Sequence, residues 1–280
     1  MAQIDLHVHP FKNSIYDIVN AMDSAGIDVL GLESLDASIY KLIVEQANKA
    51  YPYAAADDAG VKLPNGKFLL NGREYTTLES LHLLTIGFSY EPAKQPDEAK
   101  RIIEHSLEHN AIVILDHPFV DNGKTKTAGH VSSEFAGWME YLCKEYSGHV
   151  ALEWNAYCIP WMRNVLMQGL NLAGLGLSYY DVNLKAEELS AKLQKEEYNV
   201  PILADTDLHA RNKRLLQRMG TARVISPLEG STAYEIVQSL KRNIFARNYE
   251  NVKEYVSSAH LLEAFCLPVV FPGLFEKSRG

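Results

Sequence analysis

The chain alternates short apolar runs with amphipathic stretches in which apolar residues recur every three to four positions. Short apolar runs predict strands and the second pattern predicts helices. In the first helix, Ser14 is a typical N-cap and Gly26 a typical end residue. The pattern predicts strands at 4–9, 28–32, 81–88, 111–115, 150–154, 200–204 and 222–225, another strand near Glu74, and helices at 37–50, 96–110, 134–146 and 232–243, with a further long helical region ending near 198.

A turn signal and the order of the predicted elements together indicate the fold class. Asn65 and Gly66 lie between two apolar runs, which indicates a hairpin. The regular alternation of strands and helices predicts an α/β fold with a mainly parallel sheet and helices outside it. The number of units is sufficient for a closed or nearly closed barrel formed as a single domain. Active sites of such barrels lie at the carboxyl ends of the strands.

Polar side chains fall at those predicted strand ends. His7 and His9 end the first strand, and residues two apart on a strand point to the same side. Neutral imidazoles are good ligands for zinc, manganese or iron. The other strand-end residues are Glu74, Asp116, His117, Glu153, Asp205, Asp207 and His209. Each alone has an ordinary structural explanation, but together they need a cation between them.

Composition narrows the function classes. The 280 residues are 47% hydrophobic and carry a formal charge of −8, from 35 acidic and 27 basic residues. This balance argues against broad binding to nucleic acids or anionic membranes. Three cysteines are an odd count that suits a reducing compartment. With no signal-peptide pattern or membrane-spanning run, we expect a cytoplasmic protein.

Five short motifs, taken in order, resemble those of the PHP (polymerase and histidinol phosphatase) superfamily. They are Asp5-Leu6-His7-Val8-His9, Gly72-Arg73-Glu74, Asp116-His117-Pro118, Leu152-Glu153-Trp154-Asn155 and Asp207-Leu208-His209. The resemblance covers residues 4–247 and implies a distorted (β/α)7 barrel of the TIM type. It also implies two or three divalent ions, usually zinc, manganese or iron, and hydrolysis of phosphoesters. Residues 248–280 are expected to be an extension packed on the same domain.

The resemblance also implies a ligand set. One metal would bind His7, His9, Glu74 and Asp207, and a second would share Glu74 as a bridge and bind His117 and Glu153. The chain departs from the family at two positions. Ser14 stands where many members have an aspartate, and Leu35 stands where they have a histidine ligand of a third metal. We therefore expect two metals, with the third site lost or severely weakened.

For catalysis, the resemblance implies a metal-activated water that attacks a small phosphorylated metabolite or nucleotide. His209 or Asp205 would pass a proton to the leaving oxygen, and Arg211 would bind the phosphate. His82 lies in a run that is mostly structural in the family, so it is left outside the ligand set. No membrane or nucleic-acid partner is expected.

Two other functions stay open. An amidohydrolase-type enzyme also begins with His-x-His on a barrel strand, but it usually needs a carboxylated lysine at mid-chain, where this chain has Glu74 and His117. A non-catalytic or weakly active metal-binding barrel is the second alternative, because Ser14 and Leu35 replace expected ligands.

Overall fold

The computed structural model describes residues 1–34, 38–94, 96–119, 133–159, 181–261 and 263–264. The strands are β1 Ala2–His9, β2 Val29–Ser34, β3 Ala55–Asp57, β4 Gly60–Lys62, β5 Phe68–Thr76, β6 His82–Ile86, β7 Ile112–Asp116, β8 Val150–Asn155, β9 Ile202–Asp205, β10 Leu208–His209, β11 Arg223–Ser226 and β12 Glu250–Val252. The helices are α1 Ile15–Ala25, α2 Ser38–Ala50, α3 Ala99–Glu108, α4 Ser133–Glu145, α5 Val182–Lys195, α6 Lys213–Leu216, α7 Ala233–Phe245 and α8 Ser258–Leu261.

These strands form one sheet, in which nine follow the order β12-β11-β1-β2-β5-β6-β7-β8-β9. Off this path, β10 pairs with β1, β4 with β5, and β3 with β4. The sheet curls into a nearly closed barrel, since β9 also lies against β1 and β11. Side chains bind the free edge of β9: Asn251 accepts from the Ala204 N–H at 2.9 Å, and its Nδ2 donates to the Ile202 carbonyl at 2.9 Å. The predicted α/β, TIM-like barrel is confirmed.

The sheet is mixed, which corrects the expectation of a mainly parallel one. Parallel pairing holds for β1-β2-β5 and for β7-β8-β9. Strand β6 runs antiparallel to both β5 and β7, because a tight turn and not a helix joins it to β5. Its first residue, His82, therefore pairs with Asp116, the last residue of β7. The amino-terminal residue of β6 therefore lies at the rim of the barrel formed by the carboxyl ends of the parallel strands.

Helix α1 begins and ends as the sequence predicts. The Ser14 hydroxyl accepts from the Asp17 N–H, and the Asp17 carboxylate accepts from the Ser14 N–H in return. Gly26 ends the helix with φ of 68°, in the left-handed region that glycine adopts without strain. The Ser14 hydroxyl is thus engaged at the start of α1.

The inner face of the barrel changes character along its strands. One half is apolar and is covered by α7, through Ile236, Val237 and Leu240 among others. This half contains Val29, Phe68, Leu70, Leu84, Ile86, Ile112, Ile114, Ala151 and Leu203. On the same strands, alternation by two leads to the polar residues Glu33, Glu74, His82, Asp116, Glu153 and Asp205. The apolar core and the polar site therefore lie on the same inner face of the sheet, at opposite ends of the strands.

Strand β1 reaches this arrangement through an irregularity. Its pairing with β2 shifts register between Asp5 and Val8. Leu6 belongs to the inner apolar cluster, whereas Val8 packs in the outer one. Simple alternation would put both on one face. The shift allows Leu6 to complete the core while His7 and His9 both turn towards the polar end.

Candidate metal centre

Three of the predicted ligands meet at the end of β1. The Nε2 atom of His7 lies 3.0 Å from Nε2 of His9 and 3.3 Å from Oδ1 of Asp207. His9 Nε2 is 3.8 Å from the same Asp207 oxygen. All three side chains are buried. We call His7, His9 and Asp207 the first group.

A second group forms beside it. It consists of Glu74, His82, Asp116 and His117, whose ligand atoms lie within 4.8 Å of one another. Asp116 Oδ2 is 3.1 Å from His117 Nε2 and 3.9 Å from His82 Nδ1. Glu74 and His117 belong to the predicted ligand set, whereas Asp116 was expected only at a strand end and His82 was left outside that set.

Glu74 joins the two groups. Its Oε2 lies 3.3 Å from Nε2 of His9, and its Oε1 lies 2.5 Å from Nδ1 of His82. One oxygen of a single carboxylate thus faces each group. This is the arrangement expected of a carboxylate that bridges two cations.

The other nitrogen of His7 faces a set of acids. Its Nδ1 donates to Glu153 Oε1 at 2.6 Å and lies 3.5 Å from Asp116 Oδ1 and 3.9 Å from Asp205 Oδ1. A carboxylate on one imidazole nitrogen orients the ring and fixes the tautomer, which leaves the opposite nitrogen for a metal.

Glu153 is fully engaged by hydrogen bonds. Besides His7, it accepts at Oε2 from the His117 backbone N–H at 2.7 Å and from Asn155 Nδ2 at 3.0 Å. Asn155 Nδ2 also donates to Asp207 Oδ2 at 2.8 Å. These contacts join Glu153 to the His7 ring and to the His117 backbone, and Asn155 links Glu153 to the first group. His7, Glu153 and Asp205 also place their ligand atoms within 4.8 Å of one another, so ligation by Glu153 stays a prediction.

Several buried oxygens here have no hydrogen-bond partner. They belong to Glu33, Asp116, Asp205 and Asp207. An unpaired buried carboxylate is costly unless a proton or a cation compensates its charge. With imidazole nitrogens beside them, these oxygens provide the donor set that zinc, manganese and iron accept. The residues therefore fit divalent cations.

The protonation of the histidines follows from their surroundings. Burial lowers the pKa of His9 and His117, which keeps them neutral, as metal binding requires. Burial also opposes the charge of His7, but Asp207 and Glu153 outweigh it and raise the His7 pKa to about 10. A cation bound at His7 Nε2 must displace that proton.

The carboxylates divide into two sets. Burial, together with the nearby charge of Glu153, raises the pKa of Asp116 and Asp205 well above the ordinary value. Burial acts the same way on Glu153, but His7 outweighs it and holds the Glu153 pKa well below its usual range. Asp116 and Asp205 therefore hold a proton more tightly than an ordinary aspartate, and a bound cation would compensate their charge in the same way.

Two site residues have unusual backbone angles. His117 has φ of 24° and Asp207 has φ of 51°, a region that residues other than glycine rarely adopt. Such conformations cost on the order of 1–3 kcal/mol and concentrate at functional sites. The surrounding structure holds both ligands in place against this cost.

His209 and Arg211 lie at the mouth of the centre. His209 Nδ1 is 3.2 Å from Asp207 Oδ1, and its ring lies 4.5 Å from that of His9. The Arg211 guanidinium covers the ring of Phe11 at 4.9 Å, and its Nε donates to the Ala264 carbonyl at 3.2 Å. The chain beyond residue 247 thus contacts the rim of the barrel.

Asp205 is placed differently. It is fully buried under His7 and has no direct access to solvent. Of the two family positions that are changed, Ser14 caps α1, and Leu35 lies outside the described residues. The predicted ligand set contained neither His82 nor Asp116, although Asp116 was expected at a strand end. Period-two alternation from Leu84 and Ile114 places both residues on the inner face, but only the antiparallel pairing of β6 brings His82 to the carboxyl rim.

Comparison with known proteins gave matches among solved structures. Neither the models of protein families nor the curated proteins gave any match. A two-domain protein from Bacteroides vulgatus, described as containing a predicted PHP-like metal-dependent phosphoesterase, matches with a TM-score of 0.50 and 16% identity, over 95% of this chain and 69% of that one. The chain has a PHP-like fold.

Two further solved structures are similar to this chain in fold. PsfC from Pseudomonas syringae matches with a TM-score of 0.53 and 15% identity, over 100% of this chain and 99% of that chain. The lesion-specific endonuclease PfuEndoQ from Pyrococcus furiosus matches with a TM-score of 0.50 and 16% identity, over 89% of this chain and 57% of that chain. Across the described residues, no helix has the length and apolar character needed to cross a membrane.

Proposed function

We propose that this chain is a metal-dependent hydrolase that cleaves small phosphorylated molecules. The observation that carries the proposal is the placement of Glu74, with one oxygen at each of two groups of ligands. Two-cation sites of this kind are common in enzymes that hydrolyse phosphoesters. The PHP-like fold supports the same reaction class.

The residues divide between two cations as follows. His7, His9 and Asp207 would hold one with Glu74 Oε2, and His82, Asp116 and His117 would hold the other with Glu74 Oε1. When bound, such cations polarise phosphoryl oxygens and lower the pKa of a coordinated water. Glu153 then orients ligands of both cations, in place of the direct ligation that the family pattern implies.

His209 is the group we propose for proton transfer to the leaving oxygen. It is 21% exposed at the mouth of the centre, beside Asp207. Burial lowers its pKa, but the Asp207 carboxylate outweighs burial and raises the pKa above the ordinary value. A charged imidazole at the mouth is a suitable acid. Asp205 is fully buried, with Oδ1 3.9 Å from His7 Nδ1, and lies too deep to reach the leaving oxygen.

Arg211 is the proposed phosphate-binding residue. It has no carboxylate partner among the described residues, whereas Arg214 forms an ion pair with Glu263 and Lys213 forms one with Asp17 at 2.7 Å. The contact with the Phe11 ring holds the guanidinium at the rim, where it can donate two hydrogen bonds to a phosphate.

The surroundings of the mouth favour a small substrate over a nucleic acid. Arg218 donates to His260 at 2.7 Å, so it and Arg214 are both engaged by the segment after residue 257. The formal charge of −8 also opposes a long polyanion. PfuEndoQ, which is similar in fold, is a lesion-specific endonuclease, so DNA is included among the substrates to be tested.

The experiment measures turnover by the purified chain loaded with manganese, zinc or iron. Substrates are small phosphomonoesters, phosphodiesters, nucleotides, a lesion-containing DNA duplex and simple amides. We expect turnover of a small phosphoester that is lost in Glu74→Ala and His117→Ala but kept in His149→Ala, which changes an exposed histidine far from the centre.

Other outcomes have distinct meanings. Cleavage of the duplex alone would identify a nuclease, and cleavage of amides alone would identify an amidohydrolase-type enzyme. Equal, negligible rates for wild type and variants, with stoichiometric metal in the wild type, would indicate a non-catalytic metal-binding barrel.

A further inference from the structure

A second set of metal-binding side chains lies on the outer surface, at the end of α3. His105 and His109 are four residues apart, with Glu108 between them, in the order His-x-x-Glu-His. Residues at this spacing share one face of a helix. One ligand atom from each of the three lies within 4.8 Å of the other two.

This surface trio is separate from the metal centre. It precedes β7 at the amino end of that strand, whereas Asp116 is the last residue of β7 and His117 follows it. Five residues of strand span roughly 15 Å. One ion therefore cannot reach both sets of ligands.

Aromatic contacts hold both imidazoles. The ring of His109 stacks on Phe88 with centroids 3.9 Å apart and planes within 7°. The ring of His105 meets Tyr90 edge-on at 4.4 Å, and the two imidazoles are 4.7 Å apart. Rings held in this way lose little conformational freedom when a ligand binds.

Hydrogen bonding leaves a nitrogen of His109 available. Its Nδ1 lies 2.9 Å from the His105 carbonyl oxygen, so Nδ1 carries the proton and donates it. The lone pair then resides on Nε2. His105 Nδ1 lies 3.4 Å from Glu108 Oε2, which places the carboxylate next to the imidazole pair.

We propose that His105, Glu108 and His109 form a surface site for a divalent transition-metal ion such as Zn²⁺, Ni²⁺ or Cu²⁺. Two imidazoles and one carboxylate are ligands that these ions prefer, whereas Mg²⁺ and Ca²⁺ prefer oxygen alone. The three ligands leave coordination positions open to solvent. His105 and Glu108 are 37% and 72% exposed, so small rotations bring their ligand atoms together around an ion.

The test is a calorimetric titration with Ni²⁺. The full chain is first loaded with manganese at its metal centre, and excess metal is removed. Manganese content measured before and after the titration gives the amount of Ni²⁺ that exchanges into the metal centre. Beyond that exchange, we expect one further Ni²⁺ to bind per wild-type chain. His109→Phe keeps a ring against Phe88 but has no nitrogen, so Ni²⁺ should bind at least tenfold more weakly. His105→Ala should have a similar effect, Glu108→Gln a smaller one, and His149→Ala none.

A second measurement guards against misfolding. Ni²⁺ should raise the melting temperature of the wild type and of His149→Ala, but not that of the double variant His105→Ala/His109→Phe. Wild-type Ni²⁺ affinity and stoichiometry in the double variant would overturn the proposal. So would the absence of a further Ni²⁺ in the wild type. Neither result would bear on the metal centre, which is measured separately by its manganese content.

Discussion

The carboxylate of Glu33 occupies the space that a side chain at position 72 would fill. The two residues are direct partners in the pairing of β2 with β5. A Cβ atom on Gly72 would lie 2.1 Å from Oε1 of Glu33. Glycine at 72 thus permits an acid at 33 to lie inside the barrel, near His7, Glu74 and Glu153.

Gly72→Ala should therefore destabilise the protein. The added methyl group overlaps a fully buried carboxylate, and overpacking of this kind typically costs about 1–3 kcal/mol. The measurement is the free energy of unfolding by urea. Gly137→Ala is the matched control, because no neighbouring atom would lie within 4 Å of its Cβ. Adding Glu33→Ala to Gly72→Ala should recover most of the loss; a double variant as unstable as Gly72→Ala alone would contradict the steric explanation.

Glu33→Gln should change how stability depends on pH. Burial, with Glu74 and Glu153 adding to it, raises the Glu33 pKa well above its ordinary value of 4.5. The folded state then holds this proton more tightly than the unfolded state. Its stabilising effect is present below pH 4.5 and is lost as the pH rises towards the folded pKa.

In chelator-treated protein, Glu33→Gln should accordingly gain stability relative to wild type as the pH rises from about 5 to 8. Melting temperatures across that range measure the difference. A difference that stays constant with pH would show that the pKa of Glu33 is the same in the folded and unfolded states.

His82→Ala should remove one of two bound cations. The imidazole lies 2.5 Å from Glu74 Oε1 in the second group, so its loss weakens that group and leaves His7, His9 and Asp207 unchanged. Elemental analysis of the dialysed protein should fall from about two metals per chain towards one. Thr76→Val is the control, since it removes only the 3.3 Å contact between the Thr76 hydroxyl and His82 Nε2. Two metals in His82→Ala would exclude His82 as a ligand.

Glu153→Gln tests whether this acid acts through His7 and His117. The amide retains the size of the side chain but weakens the 2.6 Å hydrogen bond with His7 Nδ1. Loss of such an orienting contact typically costs 10- to 100-fold in metal affinity. Competition with a chromophoric chelator measures that affinity. If Glu153 were itself a ligand, the metal content would fall as it does in His82→Ala.

Period-two and helical patterns were sufficient to predict most elements and the rim where the polar residues meet. Three relationships depended on tertiary structure. The register shift in β1 turns His7 and His9 to the inner face, and the reversed β6 brings His82 to the carboxyl rim. The close approach of Glu33 to Gly72 requires the pairing of two strands 39 positions apart in the chain. No local pattern encodes these relationships, because each depends on which strands become neighbours.

Arg211→Ala tests the last residue of the proposed site, since the guanidinium is proposed to bind substrate phosphate and to leave the cations unaffected. We expect KM for the phosphoester to rise at least tenfold, with a smaller change in kcat and no change in metal content, because the lost hydrogen bonds stabilise bound substrate as well as the transition state. Arg211→Lys should restore only part of the affinity, as an ammonium group lacks the paired donors of arginine. Arg214→Ala is the matched control, because that arginine is already paired with Glu263. Steady-state kinetics that move equally in Arg211→Ala and Arg214→Ala would assign the effect to the general charge of the rim.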